Sequence, residues 1–346
     1  MRPDFQVGLR QNRGAWILAT LGSAFLLALV LRQVDLDVLQ DTLAQCSTTL
    51  IALSIALLCL EGVFASLRLH LFASIPRRVM PPIEAAFRVN AWYVLAIALL
   101  PARLGEVAGA ILMHRILNMR GGHAAMAIFS QRLFDLAVLA GLVLPVAGIA
   151  VLYSTLGSMI VSAFGAALIG GALLVLALSW ILLMRPDVLL TPILAFAHRA
   201  CLFRGRLQRV FQMLLQARSW SRHHYPQMNQ RGAVLTTLGK WLANILGLWA
   251  LIAAFGIERD APVLWVVAVF YNFLLAVPIP TLGSIGLSEI GLAALLTLIG
   301  VPVASAAAIS VVARVVLLLL PVLYGGLTWV GLVVLRKVPP TSLPRS

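Results

Sequence analysis

Long apolar runs divide this chain. They are Ala15–Leu31, Thr49–Phe72, Ala86–Leu117, Ala124–Leu152, Ser158–Met184, Ala233–Phe255, Pro262–Gly300 and Ala304–Leu335. A bilayer core of about 30 Å needs roughly 20 helical residues. Six of the runs suit one crossing each, but Ala86–Leu117 and Pro262–Gly300 are too long for one straight span and too short for two. Both are interrupted near their middle, the first by Pro101 and Gly105, the second by Pro278, Pro280, Gly283 and Gly286. Proline removes a backbone donor and glycine favours unusual dihedrals, so the helix breaks there. Broken backbone survives at membrane depth only where protein or a water-filled cavity covers it. Each segment is therefore a kinked crossing or a re-entrant hairpin. The polar stretch 185–232 contains Phe203, Leu207, Val210, Phe211 and Leu214 at helical spacing, with Arg204, Arg206 and Arg209 among them. This predicts an amphipathic helix at the membrane surface.

Composition agrees. Of 346 residues, 61% are hydrophobic and 11% charged, against about a quarter charged in soluble domains. This excludes a soluble enzyme, a secreted disulfide scaffold and a disordered chain. The net charge of +14 would suggest nucleic acid in a soluble protein; in a membrane protein it reads as cytoplasmic loop charge, and no nucleic-acid partner is expected. Three scattered cysteines, Cys46, Cys59 and Cys201, make neither a disulfide framework nor a zinc cluster. Ala15–Leu31 runs into Arg32 and acidic residues without a small-residue cleavage site, so it reads as a retained span.

Loop charge selects between kinked crossings and hairpins. With the N-terminus (Arg2, Arg10, Arg13) inside, the loop bearing Asp35, Asp37 and Asp41 lies outside and that with Arg77, Arg78 and Arg88 inside. If both broken segments crossed, Arg185, Arg199, Arg204, Arg206, Arg209, Arg218, Arg222 and Arg231 would face outside against a single acid, Asp187. If both are re-entrant, every loop obeys the positive-inside rule. The expected fold is thus all-α and integral to the membrane: one membrane domain over 1–346 with six transmembrane helices and two re-entrant hairpins. Its first half is 12–184 with re-entrant segment 86–117, its cytoplasmic linker 185–232, and its second half 233–336 with re-entrant segment 262–300. Both termini are cytoplasmic. The hairpins enter from opposite faces, and Arg132 follows Glu106 by 26 residues as Arg314 follows Glu289 by 25. Paired broken helices in oppositely oriented halves mark an inverted-repeat transporter.

Charges at membrane depth are costly and usually functional. Here they are Glu61, Arg68, Arg103, Glu106, Arg132, Asp135, Glu289 and Arg314. Arg103/Glu106 and Arg132/Asp135 have the three-residue spacing that puts both members on one helix face; mutual neutralisation is the bland account of such pairs. At hairpin tips, Arg103, Arg132 and Arg314 could hold a phosphate with their guanidinium forks. Glu106 and Glu289 could orient them, receive a cationic headgroup or carry a proton. Glu61 is a pathway acid or a partner for an arginine.

Pro101–Glu106 (Pro-x-Arg-Leu-Gly-Glu), Arg132–Asp135 (Arg-Leu-x-Asp) and Gly286–Glu289 (Gly-x-x-Glu) resemble the membrane region of lysylphosphatidylglycerol synthase/flippase proteins, over about residues 12–336. Ser284 and Ser288 depart from the family, where Gly and Arg are frequent. The resemblance implies a bacterial inner-membrane protein that moves a polar lipid between leaflets. The chain continues only eleven residues past Leu335, so the soluble aminoacyltransferase domain of some members is expected to be absent.

The chain lacks a Gly-x-x-x-x-Gly-Lys-Ser/Thr loop, a His-Glu-x-x-His motif and a Gly-x-Ser-x-Gly elbow, which removes those routes to ATP hydrolysis, metalloproteolysis and acyl transfer. No cofactor and no metal are expected; His223-His224 reads as a solvated patch. The first expectation is a lipid flippase or lipid-linked solute transporter, not an enzyme. The others are an accessory membrane subunit docking a separate lipid-modifying or glycan-assembly synthase through 185–232, and an intramembrane headgroup enzyme using Glu106 or Glu289 as base.

Overall fold

The computed structural model describes residues 24–33, 36–73, 81–100, 104–154, 159–184, 191–192, 206–223, 228–257, 261–276 and 285–336. Among these the chain is helical throughout, with no strand. The elements are α1 Leu36–Ala44, α2 Thr48–Ala73, α3 Ile83–Leu99, α4 Leu104–Ile116, α5 Gly121–Ser154, α6 Met159–Met184, α7 Arg206–His223, α8 Gln230–Ala253, α9 Ala261–Ala276, α10 Leu287–Leu298 and α11 Val303–Arg336. Four of them contain stretches long and apolar enough to cross a membrane: Thr48–Ala73, Gly121–Pro145, Gln230–Ala253 and Val303–Gly331. Of the first predicted span, residues 24–31 are described, and they are helical. The acidic loop after it holds a short helix, α1, which packs on α11.

Both interrupted runs fold back on themselves. The arms α3 and α4 have 17 and 13 residues, and α9 and α10 have 16 and 12. At 1.5 Å per residue each arm is about 18–26 Å long, short of a full crossing. Gly109 lies against the ring of Tyr93 and Gly105 against the backbone of Ile97, so α3 and α4 run antiparallel in close contact. Gly291 likewise faces Leu274 across α9 and α10.

Buried apolar side chains gather in two clusters. One joins the end of α2 (Leu69, Phe72), the start of α3 (Ala86, Val89), the end of α4 (Met113), the start of α5 (Ala124, Ala127) and the start of α8 (Ala233). The chain thus leaves α2 and enters α5 at the same pole. The other cluster joins the end of α8 (Leu251, Ile252), the start of α9 (Leu264), the end of α10 (Leu296) and the start of α11 (Ala306, Ile309). The two hairpins therefore root in different clusters. Between these clusters lies a layer rich in charge.

The helices α2 and α8 form the seam between the halves. Gly239 faces the Phe64 ring, Asn244 bonds Glu61, and Gly247 faces Leu58. Rising numbers on one helix meet falling numbers on the other, so the pair is antiparallel. The amphipathic helix of the basic stretch begins at Arg206 and does more than lie on a surface. It buries Ala217 and Trp220 in the first cluster, and its Gln216 Oε1 accepts from the Gly122 N–H at 3.1 Å. Gly122 is where this helix meets α5: a Cβ there would collide with the Met213 carbonyl.

Candidate functional site

A cavity of about 420 Å³ occupies the polar layer. Its walls come from both halves: α2, α3, the start of α4 and α5 on one side, α8, α9 and α11 on the other. Four cations (Arg68, Arg132, Lys240, Arg314) and three carboxylates (Glu61, Glu106, Asp135) line it, together with apolar side chains such as Leu58, Ile97, Leu139 and Leu318.

Asp135, only 4% exposed, is its best-connected group. Arg68 donates to both carboxylate oxygens, Nη1 to Oδ1 and Nη2 to Oδ2, the second at 3.2 Å. Lys240 Nζ and Trp241 Nε1 donate to Oδ1 at 3.0 and 2.9 Å. Arg132 Nη1 reaches Oδ2 at 3.4 Å. Desolvating a carboxylate costs several kcal/mol, and only such a full set of partners offsets it. Lys240 also sits 4.2 Å over the Trp241 ring, a cation–π contact.

Arg132 ties this node to the first hairpin tip. Its Nε lies 3.0 Å from Glu106 Oε1, and its Nη2 donates to the Tyr93 hydroxyl at 3.0 Å. Its side chain keeps 30% exposure, whereas Arg68 is buried. Of the two, Arg132 is the one able to meet a ligand without first leaving the packed interior.

The second hairpin presents a matching pair. Arg314 Nε lies 3.3 Å from Glu289 Oε1. Glu289 is 1% exposed. Its Oε2 accepts from Ser288 Oγ at 2.7 Å and from the Gly286 N–H at 2.6 Å, capping the start of α10. Gly286 adopts φ +85°, a conformation that side chains resist. The positions correspond closely. Glu106 and Glu289 each stand two residues past the start of their arm, at Leu104 and Leu287, and Arg132 and Arg314 each stand eleven past the start of the next helix, at Gly121 and Val303.

The structure thus brings Glu61, Glu106, Arg132, Asp135 and Arg314 to one cavity, with Glu289 behind Arg314. Gly105 and Gly286 lie at the two breaks. Arg103, Pro101, Pro278, Pro280 and Gly283 lie outside the described residues. The Arg132/Asp135 pair is not self-contained, because Asp135 serves three cations. Sequence reasoning passed over Lys240, although it stands inside the apolar run Ala233–Phe255, where any charge is a signal. It also missed Trp241, Asn244 and Tyr93. A further polar node joins α2, α3 and α11: the Tyr324 hydroxyl meets Ser66 Oγ at 2.5 Å and Asn90 Nδ2 at 3.4 Å, and donates to the Gly62 carbonyl at 3.0 Å.

The Lysylphosphatidylglycerol synthase TM region family matches residues 16–325. The chain belongs to this family. It is a multi-pass membrane protein, and membership ties it to lipid modification or lipid flipping. No curated protein and no solved structure matches the chain.

Proposed function

We propose that this family member is a lipid flippase-like transporter that moves a polar or phosphate-bearing lipid between leaflets of the bacterial inner membrane, with both termini cytoplasmic. The observation that carries the reading is the cavity between the two apolar clusters, walled by both halves and lined by Arg132 and Arg314 beside their tip carboxylates. A guanidinium with residual exposure offers paired donors to phosphate oxygens, while the apolar wall suits the upper part of acyl chains. The short antiparallel arms support re-entrant hairpins. The antiparallel α2/α8 seam and the matched Glu–Arg positions support an inverted repeat in which opposed hairpins frame a central site. The protein then needs no covalent chemistry: it rearranges ion pairs around a passing headgroup.

The test is a leaflet-sidedness assay in proteoliposomes carrying fluorescent phosphatidylglycerol, comparing wild type with Arg132→Ala, Arg103→Ala and Glu289→Gln. Movement in wild type and its loss in the variants is the expected result. Chemical turnover of the headgroup would point instead to an enzyme. Neither movement nor turnover would overturn both readings and leave an accessory subunit of a separate lipid-modifying enzyme.

A further inference from the structure

The carboxylates of the polar layer are not equally committed. Asp135 is held by Arg68, Lys240, Trp241 and Arg132. Glu106 is paired with Arg132, and Glu289 with Arg314, Ser288 and the Gly286 N–H. Each is an ionised acid whose charge is already balanced by cations or directed donors. Glu61 is different. It lines the cavity, makes no ion pair among the described residues, and receives one neutral bond, from Asn244 Nδ2 to Oε2 at 2.8 Å.

Its partner is half-used. Asn244 Oδ1 is buried with no hydrogen-bond partner. A side-chain amide offers donors on one side and an acceptor on the other, and a carboxylate can accept only. A carboxylic acid can do both. Protonated Glu61 can therefore accept from Nδ2 and donate to Oδ1, closing a two-bond ring, whereas ionised Glu61 leaves a buried acceptor unsatisfied, at a real cost. The pair also bridges α2 and α8, the seam between the halves.

We propose that Glu61 and Asn244 form a proton-binding site that couples lipid movement to the pH difference across the membrane. The inference rests on the transport reading above. The carboxylate takes one proton from water on one side and returns it to water on the other; nothing is oxidised or reduced. Binding adds a bond across the seam and removes a negative charge from the cavity, and release does the reverse, so proton occupancy and the relation of the halves are linked. The charged and titratable groups around Glu61 are Arg68 on its own helix, Lys240 on α8, and Asp135 and Arg132 on α5. From α3 and α11 come Tyr93, Tyr324 and Arg314. Lys240, Arg68 and Arg132 converge on Asp135, which leaves Glu61 to the amide.

Two measurements on the full chain test this. In proteoliposomes with fluorescent phosphatidylglycerol, a gradient of about one pH unit shifts the steady-state leaflet ratio about tenfold at one proton per lipid; in Glu61→Gln the ratio no longer follows the gradient. A wild-type ratio that ignores the gradient, or a Glu61→Gln ratio that follows it, overturns the proposal while leaving transport standing. The second measurement is independent of lipid. Infrared difference spectra across a pH step show a protonated carboxyl band in wild type that is lost in folded, monodisperse Glu61→Gln and shifted in Asn244→Leu. Absence of the band, or its persistence in Glu61→Gln, overturns the proton site. The band without any lipid movement overturns the transport reading and the coupling, and leaves only a protonation site.

Discussion

Gly105 meets the backbone of Ile97 so closely that a Cβ on it would stand 2.6 Å from the Ile97 Cα. The obstructing atom is main chain, so no rotamer change can clear it. Gly105→Val should therefore destabilise the first hairpin by about 1–3 kcal/mol, the usual cost of overpacking, and lower the thermal midpoint of the purified protein. At Gly141, where a Cβ meets nothing within 4 Å, Gly→Ala should leave that midpoint unchanged or raise it.

Removing the anion at the centre of the polar layer should hurt stability more than removing one of its cations. Asp135→Asn leaves Arg68 and Lys240 buried together without a counter-charge. Breaking such a buried set costs about 3–5 kcal/mol. Adding Lys240→Met to Asp135→Asn should recover part of the loss. Thermal unfolding of the single and double variants, arranged as a cycle, measures it.

Arg132→Lys should fold and fail to transport. A lysine keeps the charge but loses the fork that reaches Glu106, Tyr93 and Asp135 together. The loss of a charge-assisted bond, about 1.5–3 kcal/mol, predicts at least a tenfold fall in the rate of lipid movement, with the thermal midpoint nearly unchanged.

Gly286→Ala should destabilise α10 by about 1–3 kcal/mol, because φ is +85° there, and should disturb the Glu289–Arg314 pair with it. The expected pattern is a lower midpoint together with slower transport.

Sidedness is checked by single cysteines in a background without Cys46, Cys59 and Cys201. Gln40→Cys on α1 and Gln212→Cys on α7, both exposed, should react with an impermeant maleimide from opposite sides. Labelling from one side would remove the re-entrant arrangement.

The spans and breaks were legible because lipid imposes a simple length rule and because Pro and Gly interrupt helices in a recognisable way. The run Thr49–Phe72 corresponds to α2, Ala304–Leu335 to α11, and both interrupted runs to pairs of short arms. The charged residues were legible as a set, since each stands out against apolar neighbours. Their partnerships were not. Arg68 and Asp135 are 67 positions apart and Glu61 and Asn244 are 183 apart; local spacing carries no information about such pairs, and only the three-residue relation of Arg132 to Asp135 could be read. The packing of α7 through Trp220 was hidden for the same reason, because an amphipathic pattern shows that a face is apolar without naming what covers it.

The placement of the two apolar clusters has one further consequence. They plug the molecule at either pole, so a double-tailed guest that uses the central chamber has no axial corridor to follow. It must slip in sideways through the flank, its tails trailing in the surrounding hydrocarbon while only the head is swallowed. The doorway is then a crevice between neighbouring helices, and its width is governed by how far those helices can part.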